Sequence, residues 1–388
     1  MKKLFLFAMA FVLLGVSLFT MGGVKTQVYA SEIDVSAKSY IVIDNNNKVL
    51  VGENIDVKRE VASICKLMTT LITLEKIEAG ELNLSDKFIV SNYASDAEGS
   101  QAFLDSGSEY TIEDLLKSVI VASANDSAIV LAEGIAGSEK AFVNMMNLKA
   151  KELGMCSTLY SNSTGLPAPE QYSTAYDTAL LLKRVSEYEL YHKYCGIWLD
   201  YLTHPSGRKT ELVNTNRNIR YYEYCELGKT GFTDEAGYCL ASKNTKGDFT
   251  IYSVVLGSKT SADRFTDSMK LCNYAFANFV SDKFVVSGES VANDIKVCRG
   301  KKDNVDLVAN ADYFVTRRVG EKEVASKVLE LPDEITAKIS KGDKIGEMLI
   351  VIDGVVDGAI DIVANETIEK ENYHDILDKV TRKYGFVN

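Results

Sequence analysis

Histidine is scarce in this sequence: His192, His204 and His374 are the only three in 388 residues. A Ser-His-Asp triad needs one of them beside a nucleophile, and none lies near a Ser in an elbow context. No G-x-S-x-G occurs, and no H-E-x-x-H or carboxylate cluster points to a catalytic metal. Each His is expected to be solvated. Proline is also sparse, at 4 residues, and neither Gly nor Ser clusters, which excludes a long disordered linker. There is no fixed-period repeat. The seven Cys stand at 65, 156, 195, 225, 239, 272 and 298 with no C-x-x-C, so neither a zinc clip nor a thioredoxin-like site is suggested. An odd count leaves at least one thiol free or paired between molecules. Cys65 and Cys239 lie in apolar periodic segments and are expected to act as small buried hydrophobes.

Basic charge is in the minority, with 43 Lys and Arg against 54 Asp and Glu. The first thirty residues read as a signal peptide. Lys2 and Lys3 precede an almost wholly apolar run over residues 4–21, and Val28-Tyr29-Ala30 places small residues where a signal peptidase reads. A retained transmembrane anchor is the alternative, since the run is long enough to span a bilayer. Either reading puts the body of the protein outside the cytoplasm. Removing the segment's three Lys leaves 40 basic residues against 54 acids, a balance of −14. That argues against nucleic acid as a partner and against long-range steering toward anionic polymers.

Residues 39–43 and 48–51 read as a hairpin around an Asn-rich turn. A helix is expected from Ser63, with Ile64, Leu67, Met68, Leu71 and Ile72 on its buried face. A second starts at Thr111, where Thr111 and Asp114 have capping-box spacing. Further helices are expected over 141–153, 174–185 and 261–279, with strands over 237–242 and 249–256 joined by a polar turn at 244–248. Helices with a sheet drawn from distant segments make an α+β arrangement. Past Asp282 the pattern changes to short β runs separated by turns such as Asp353-Gly354 and Asp357-Gly358, which reads as a small all-β domain. The tail is a plausible amphipathic helix, with Ile368, Tyr373, Ile376, Leu377, Val380 and Tyr384 on one side. The expected organisation is therefore residues 1–30, 31–282, 283–364 and 365–388.

A nucleophilic Ser can use Lys as its base. At a helix start, a Ser and a Lys three residues on share a face, and Ser63-Ile64-Cys65-Lys66 has that spacing. There the helix dipole favours developing negative charge. S-x-x-K alone is weak, and Ser63 taken alone could equally be an ordinary helix cap. Ser206-Gly207-Arg208-Lys209 also matches, but in a turn with no apolar periodicity. Two more motifs sharpen the choice. Ser123-Ala124-Asn125 ends or interrupts the second helix, and Lys229-Thr230-Gly231 is the only K-T-G and precedes strand-like sequence. Ser242-Lys243-Asn244 matches S-x-N too, but is expected in the polar turn.

In this ordered set the chain resembles the low-molecular-mass penicillin-binding proteins, the serine D-Ala-D-Ala carboxypeptidases, whose S-x-x-K and K-T-G set is well defined. The likeness extends to Ala62 and Leu67-Met68-Thr69, Asp126-Ser127-Ala128, Met145-Met146-Asn147, Leu153-Gly154-Met155, Thr164-Gly165-Leu166, Gly228, Phe232-Thr233 and Ala236-Gly237. Residues 283–364 resemble the family's C-terminal β domain, most clearly at Lys341-Gly342-Asp343. Val61 stands where many members have Pro, and Phe232 where a polar aromatic or His is common. The Arg that some members use for the substrate carboxylate is not singled out among Arg217, Arg220 and Arg264.

The resemblance implies a β-lactamase/transpeptidase-like catalytic domain, an antiparallel sheet with helices, followed by the β domain. It implies that Ser63 attacks the bond between two terminal D-alanines of a peptidoglycan stem pentapeptide and is acylated by β-lactams. Lys66 would be the base, its pKa of about 10.4 lowered by burial beside another cation, Lys229. Ser123 would relay protons to the leaving amine, and Asn125 would hold the substrate amide. Lys229 and Thr230 would meet the terminal carboxylate. Gly231 would leave room for a strand-like substrate. The backbone N–H groups of Ser63 and Phe232 would hold the oxyanion. No metal or organic cofactor is needed. A serine β-lactamase shares the three motifs, but no Glu-x-x-Leu-Asn lies between Ser123 and Lys229. A transpeptidase or endopeptidase differs only in the acceptor, and a non-catalytic wall-binding or penicillin-sensing module is the alternative of another class. The tail helix, with nearly balanced charge, would contact a membrane surface or pack on its own β domain.

Overall fold

The structure is a computed structural model and describes residues 33–332 and 334–383, with side chains to Thr381. The expected signal peptide lies outside the described residues.

The hairpin is present as β1 (Ser39–Asp44) and β2 (Val49–Glu53). All six β1 residues are buried, because the sheet it joins is covered on both faces. A 3-10 turn (Ala62–Cys65) leads into α1 (Lys66–Glu78). Next come β3 (Lys87–Ile89), α2 (Asn92–Ser95), β4 (Glu109–Thr111) and α3 (Ile112–Val121). Thr111 caps α3 as its spacing predicts, its side chain accepting from the Asp114 N–H. The chain breaks at Ala122 and restarts as α4 (Asn125–Ala136), then α5 (Glu139–Glu152), α6 (Ala175–Val185) and α7 (Glu189–Cys195). A short hairpin follows, β5 (Leu199–Thr203) with β6 (Lys209–Val213), and then α8 (Asn218–Tyr221).

The central sheet is completed by β7 (Cys225–Thr233), β8 (Gly237–Lys246) and β9 (Phe249–Ser258), before α9 (Ser261–Asn278). Its order is β2-β1-β9-β8-β7, antiparallel throughout, so β7 is an edge. Ile41 and Ile43 point into one core with Leu67, Met68 and Leu71 of α1 and Leu182 of α6. Tyr40 and Val42 point to the other face, where Phe265, Leu271 and Cys272 of α9 cover them. The two-residue alternation of a strand produces this division. A separate helical core gathers Leu115 and Val119 of α3, Ala128 and Leu131 of α4, and Leu202 and Leu212 of the β5–β6 hairpin.

The remaining strands are β10 (Phe279–Val285), β11 (Ser290–Cys298), β12 (Asn304–Ala309), β13 (Tyr313–Arg318), β14 (Ala325–Glu330), β15 (Ile335–Thr336), β16 (Lys344–Ile352) and β17 (Val355–Ala364). They make a six-stranded sheet, β14-β16-β17-β12-β11-β15, and a β10-β13 pair around their own core of Leu307, Ile350, Ile360 and Ile362. The β1–β2 turn reaches this region, where Lys48 Nζ donates to the Thr316 carbonyl at 2.7 Å. Helix α10 (Tyr373–Lys383) ends the description, with Tyr373, Ile376, Leu377 and Val380 exposed. The whole is the expected α+β fold followed by an all-β portion.

Three local expectations differ from the structure. The tail helix begins at Tyr373, and Ile368 is not on its apolar side but buried ahead of it, bridged to Ile339, because it completes the core of the β portion. Ser242-Lys243-Asn244 is not in a turn but in β8, with Ser242 and Asn244 fully buried. Asn244 is tolerated there because its amide donates to the Ser242 carbonyl and hydroxyl. His204 is not solvated: its ring lies between Tyr110 Oη at 2.7 Å and Thr210 Oγ1 at 2.8 Å.

Candidate active site

Ser63 sits in the 3-10 turn ahead of the α-helix, not at the start of the helix as expected. The tighter turn still works for the pair, because residues i and i+3 eclipse in 3-10 geometry. Lys66 Nζ lies 2.9 Å from Ser63 Oγ and donates to the Thr164 carbonyl at 2.6 Å. Lys66 is fully buried, and that burial lowers its amine to about 7. Neighbouring Cys65 is buried as expected, and burial pushes its thiol up to about 12.

Two glycines let the backbone close around the turn. A Cβ on Gly165 would stand 2.0 Å from the Ala62 carbonyl oxygen, and Gly165 has φ +81°. A Cβ on Gly231 would stand 2.6 Å from the Val61 carbonyl and 3.2 Å from the Ser63 nitrogen. Gly231 therefore makes room for the Ser63 turn. Ala62 is left-handed at φ +49°, an uncommon state for a residue with a Cβ.

Ser123 comes from the break between α3 and α4 and is also left-handed, at φ +62°. Its hydroxyl accepts a bond of 2.7 Å from Lys229 Nζ, which also donates to the Thr230 carbonyl at 3.0 Å. Lys229 is buried, and burial first, then the nearby Lys66, pushes its amine well down. Lys66 therefore owes its low pKa to desolvation. Burial is the first cause for both amines, and the two cations repel each other. Asn125, the first residue of α4, donates through Nδ2 to the Glu98 carbonyl at 2.6 Å, while its Oδ1 is buried without a partner. An unpaired buried acceptor is costly unless a ligand donor reaches it.

Lys229, Thr230, Gly231 and Phe232 lie within β7 itself, whereas the sequence places them before a strand. Glycines at 228 and 231 weaken the β signal, yet both are needed for close approach. Thr230 Oγ1 donates to Thr215 Oγ1 at 2.7 Å. Phe232 is half-exposed and stacks on Tyr238 with centroids 4.3 Å apart. Of the three arginines left open, Arg264 reaches this strand, Nη1 donating to the Gly231 carbonyl at 3.1 Å. Arg220 instead lies against the rings of Trp198 and Tyr221.

The structure thus brings Ser63, Lys66, Ser123, Asn125 and the Lys229–Phe232 strand to one place, between the sheet and the helical core. Ser206 is elsewhere, exposed in the β5–β6 turn and bonded to Asp105. Three supporting groups are given no role by the sequence reading: the Thr164 carbonyl, Thr215 and the fully buried Asp126. Thr164 and Asp126 lie in segments that carry the family likeness, whereas Thr215 has no signal.

Comparison with known proteins agrees with this geometry. Residues 26–260 match the D-alanyl-D-alanine carboxypeptidase family, and residues 279–370 match the penicillin-binding protein 5 C-terminal domain. The chain is 35% identical to D-alanyl-D-alanine carboxypeptidase DacF of Bacillus subtilis (strain 168), over 90% of each chain. It is 32% identical to D-alanyl-D-alanine carboxypeptidase DacC of Escherichia coli (strain K12), covering 90% of this chain and 89% of that one. Penicillin-binding protein 5 from Haemophilus influenzae superposes with a TM-score of 0.71 at 27% identity, over 88% of this chain and 99% of that one. The chain belongs to the D-alanyl-D-alanine carboxypeptidase family and is a low-molecular-mass penicillin-binding protein.

Proposed function

We propose that this protein removes the terminal D-alanine from peptidoglycan stem pentapeptides through an acyl-enzyme on Ser63. The observation that carries the reading is the buried Lys66 amine, near pKa 7, 2.9 Å from the Ser63 hydroxyl. A neutral amine there takes the Ser63 proton as Oγ attacks the carbonyl between the two D-alanines. The backbone N–H groups of Ser63 and Phe232 hold the oxyanion. As the C–N bond breaks, Ser123 gives its hydroxyl proton to the leaving amine and takes in its place the one Lys66 received from Ser63, which returns Lys66 to its neutral form. A substrate amide N–H satisfies the orphan Asn125 Oδ1. The terminal carboxylate meets Thr230 and Lys229, and its negative charge favours the protonated form of the Lys229 amine. Water then hydrolyses the ester. β-Lactams would acylate the same Ser63. The unpaired edge of β7 suits an extended peptide.

The site belongs to residues 31–282, with 283–364 as the β domain. Export would follow from the leader at 1–30, and the apolar face of α10 would rest on a membrane surface. Incubating the protein with a stem pentapeptide tests the activity. Mass analysis should show loss of one alanine, and an unchanged peptide would contradict the reading. Flotation with anionic vesicles, with and without residues 365–388, tests the membrane contact.

A further inference from the structure

Residues 161–166 form a tight loop folded around one side chain. Asn162 Oδ1 accepts from the Thr164 N–H at 3.2 Å, the Thr164 hydroxyl at 3.1 Å and the Gly165 N–H at 2.7 Å. Its Nδ2 donates to the Leu166 carbonyl at 2.9 Å, so both ends of the amide are used. An Asn that bonds the backbone two residues on makes an Asx-type turn. The bonds fix which way the amide faces, since only its oxygen accepts from N–H groups and only its nitrogen donates to a carbonyl.

The loop is also seated from outside. Gln171 Oε1 accepts from the Ser161 and Asn162 N–H groups, and Glu139 Oε1 from the Ser163 N–H and hydroxyl. Toward the nucleophile turn and α1, the Asn162 carbonyl accepts from the Cys65 thiol at 3.4 Å and the Ser163 carbonyl from Thr69 Oγ1 at 2.7 Å. What the loop presents to the site is the Thr164 carbonyl, 2.6 Å from Lys66 Nζ.

A neutral amine has two N–H groups and one lone pair. With Ser63 Oγ at 2.9 Å, an N–H aimed at the Thr164 carbonyl leaves the lone pair free to face the hydroxyl. After proton transfer the same carbonyl accepts from the ammonium. The loop adds no charge of its own, because residues 161–169 contain no ionisable side chain. The titratable groups around Lys66 lie elsewhere: Cys65 beside it in the chain, Asp126 on α4 and Lys229 on β7, with Glu139 of α5 behind the loop.

We propose that Asn162 is a positioning residue for acylation: its side chain fixes the turn that holds the Thr164 carbonyl against the Lys66 amine, and so aims the base at Ser63. The inference rests on the acyl-enzyme reading above and adds a residue that acts through Lys66.

Stopped-flow acylation of the full protein over a series of benzylpenicillin concentrations tests this, because it separates the dissociation constant of the first complex from the acylation rate constant. Asn162→Ala removes the oxygen that accepts all three bonds, while Gln171, Glu139 and Thr69 still seat the loop. It should lower the rate constant about 10- to 100-fold, the cost of a misplaced reacting group, and leave the dissociation constant within about twofold. Asn162→Asp keeps an oxygen for both N–H groups, and Gln171 Nε2 still donates to the Leu166 carbonyl at 2.8 Å. Its added negative charge favours the Lys66 ammonium, so the midpoint of the pH profile should rise by about one unit. Above that midpoint its rate constant should return to within about threefold of wild type. A merely structural role would weaken binding and acylation together and show no such return. The proposal is overturned if Asn162→Ala acylates at the wild-type rate, or if its dissociation constant rises in step with the lost rate. It is also overturned if Asn162→Asp stays as slow as Asn162→Ala at about pH 9. Where Asn162→Ala does not fold, Asn162→Asp decides alone, and an unshifted midpoint or a limiting rate more than about tenfold below wild type overturns the proposal. A wild-type protein that benzylpenicillin does not acylate would overturn the acyl-enzyme reading itself, and this inference with it.

Discussion

Residues 33–278 and residues 279–383 are built to different rules. The first region buries Lys66, Lys229, Asp44, Asp126, Asp177 and Asp267. Among the described residues of the second, no Asp, Glu, Lys, Arg or His is buried, and the charges pair at the surface, as Lys344 does with Glu347 and Asp361. Left-handed non-glycine residues occur in both regions, and of those in the first Ala62 and Ser123 belong to the site. Buried charges cost stability. Their concentration in the first region agrees with its contributing the chemistry and the second packing and placement.

Substitutions can break this comparison. The largest effect is expected for Ser63→Ala, which should abolish both D-alanine release and covalent labelling by penicillin, a loss of at least about 10³-fold. Labelled wild-type protein that digests to an adduct on the Ser206 peptide would move the nucleophile out of the cleft. Lys66→Ala should slow acylation by about 10²- to 10⁴-fold, the range of a general base, without unfolding the protein. Unchanged acylation would remove Lys66 from that role. Thr215→Val, which leaves Thr230 without its partner, should lower kcat/KM by roughly 5-fold, about the worth of one neutral hydrogen bond. Steady-state kinetics on a D-Ala-D-Ala peptide would read this, and an effect as large as that of Lys66→Ala would make Thr215 a principal group. The smallest effect on activity is expected from Ile362→Ala in the core of the second region. It should cost about 2–5 kcal/mol of that region's stability in denaturant unfolding, with acylation per folded molecule unchanged. A matching loss of acylation would couple the two regions more tightly than their separate cores suggest.

Legibility in the sequence follows the range of the interactions. The β1–β2 hairpin, the Thr111 cap and the α9 helix rest on local periodicity and capping chemistry, and the structure has them where the sequence places them. The motif residues could be assembled because Ser63 and Lys66 are neighbours in one turn and the other motifs match a family pattern. Strand β7 was missed at its start because two of its nine residues are glycines selected for close approach. Asn244 looks, in sequence, like a turn residue, because the bonds its amide donates to Ser242 form only within the folded strand. The Lys229–Ser123 bond joins residues 106 apart, and the Lys66–Thr164 bond residues 98 apart. No local pattern encodes either. The completeness of the Lys66 burial is hidden for a related reason, since burial is a property of the packed core and not of the S-x-x-K spacing.

The account turns on an amine that is neutral at working pH because the fold keeps water from it. The pH dependence of the acylation constant for benzylpenicillin measures this directly. Lowering the Lys66 pKa to about 7 means that the basic form accumulates as pH rises through that value. The constant should climb about tenfold per pH unit below it and level off above, and the step should vanish in Lys66→Ala. A profile flat from about pH 5 to 9, or a step that persists without Lys66, would contradict the mechanism.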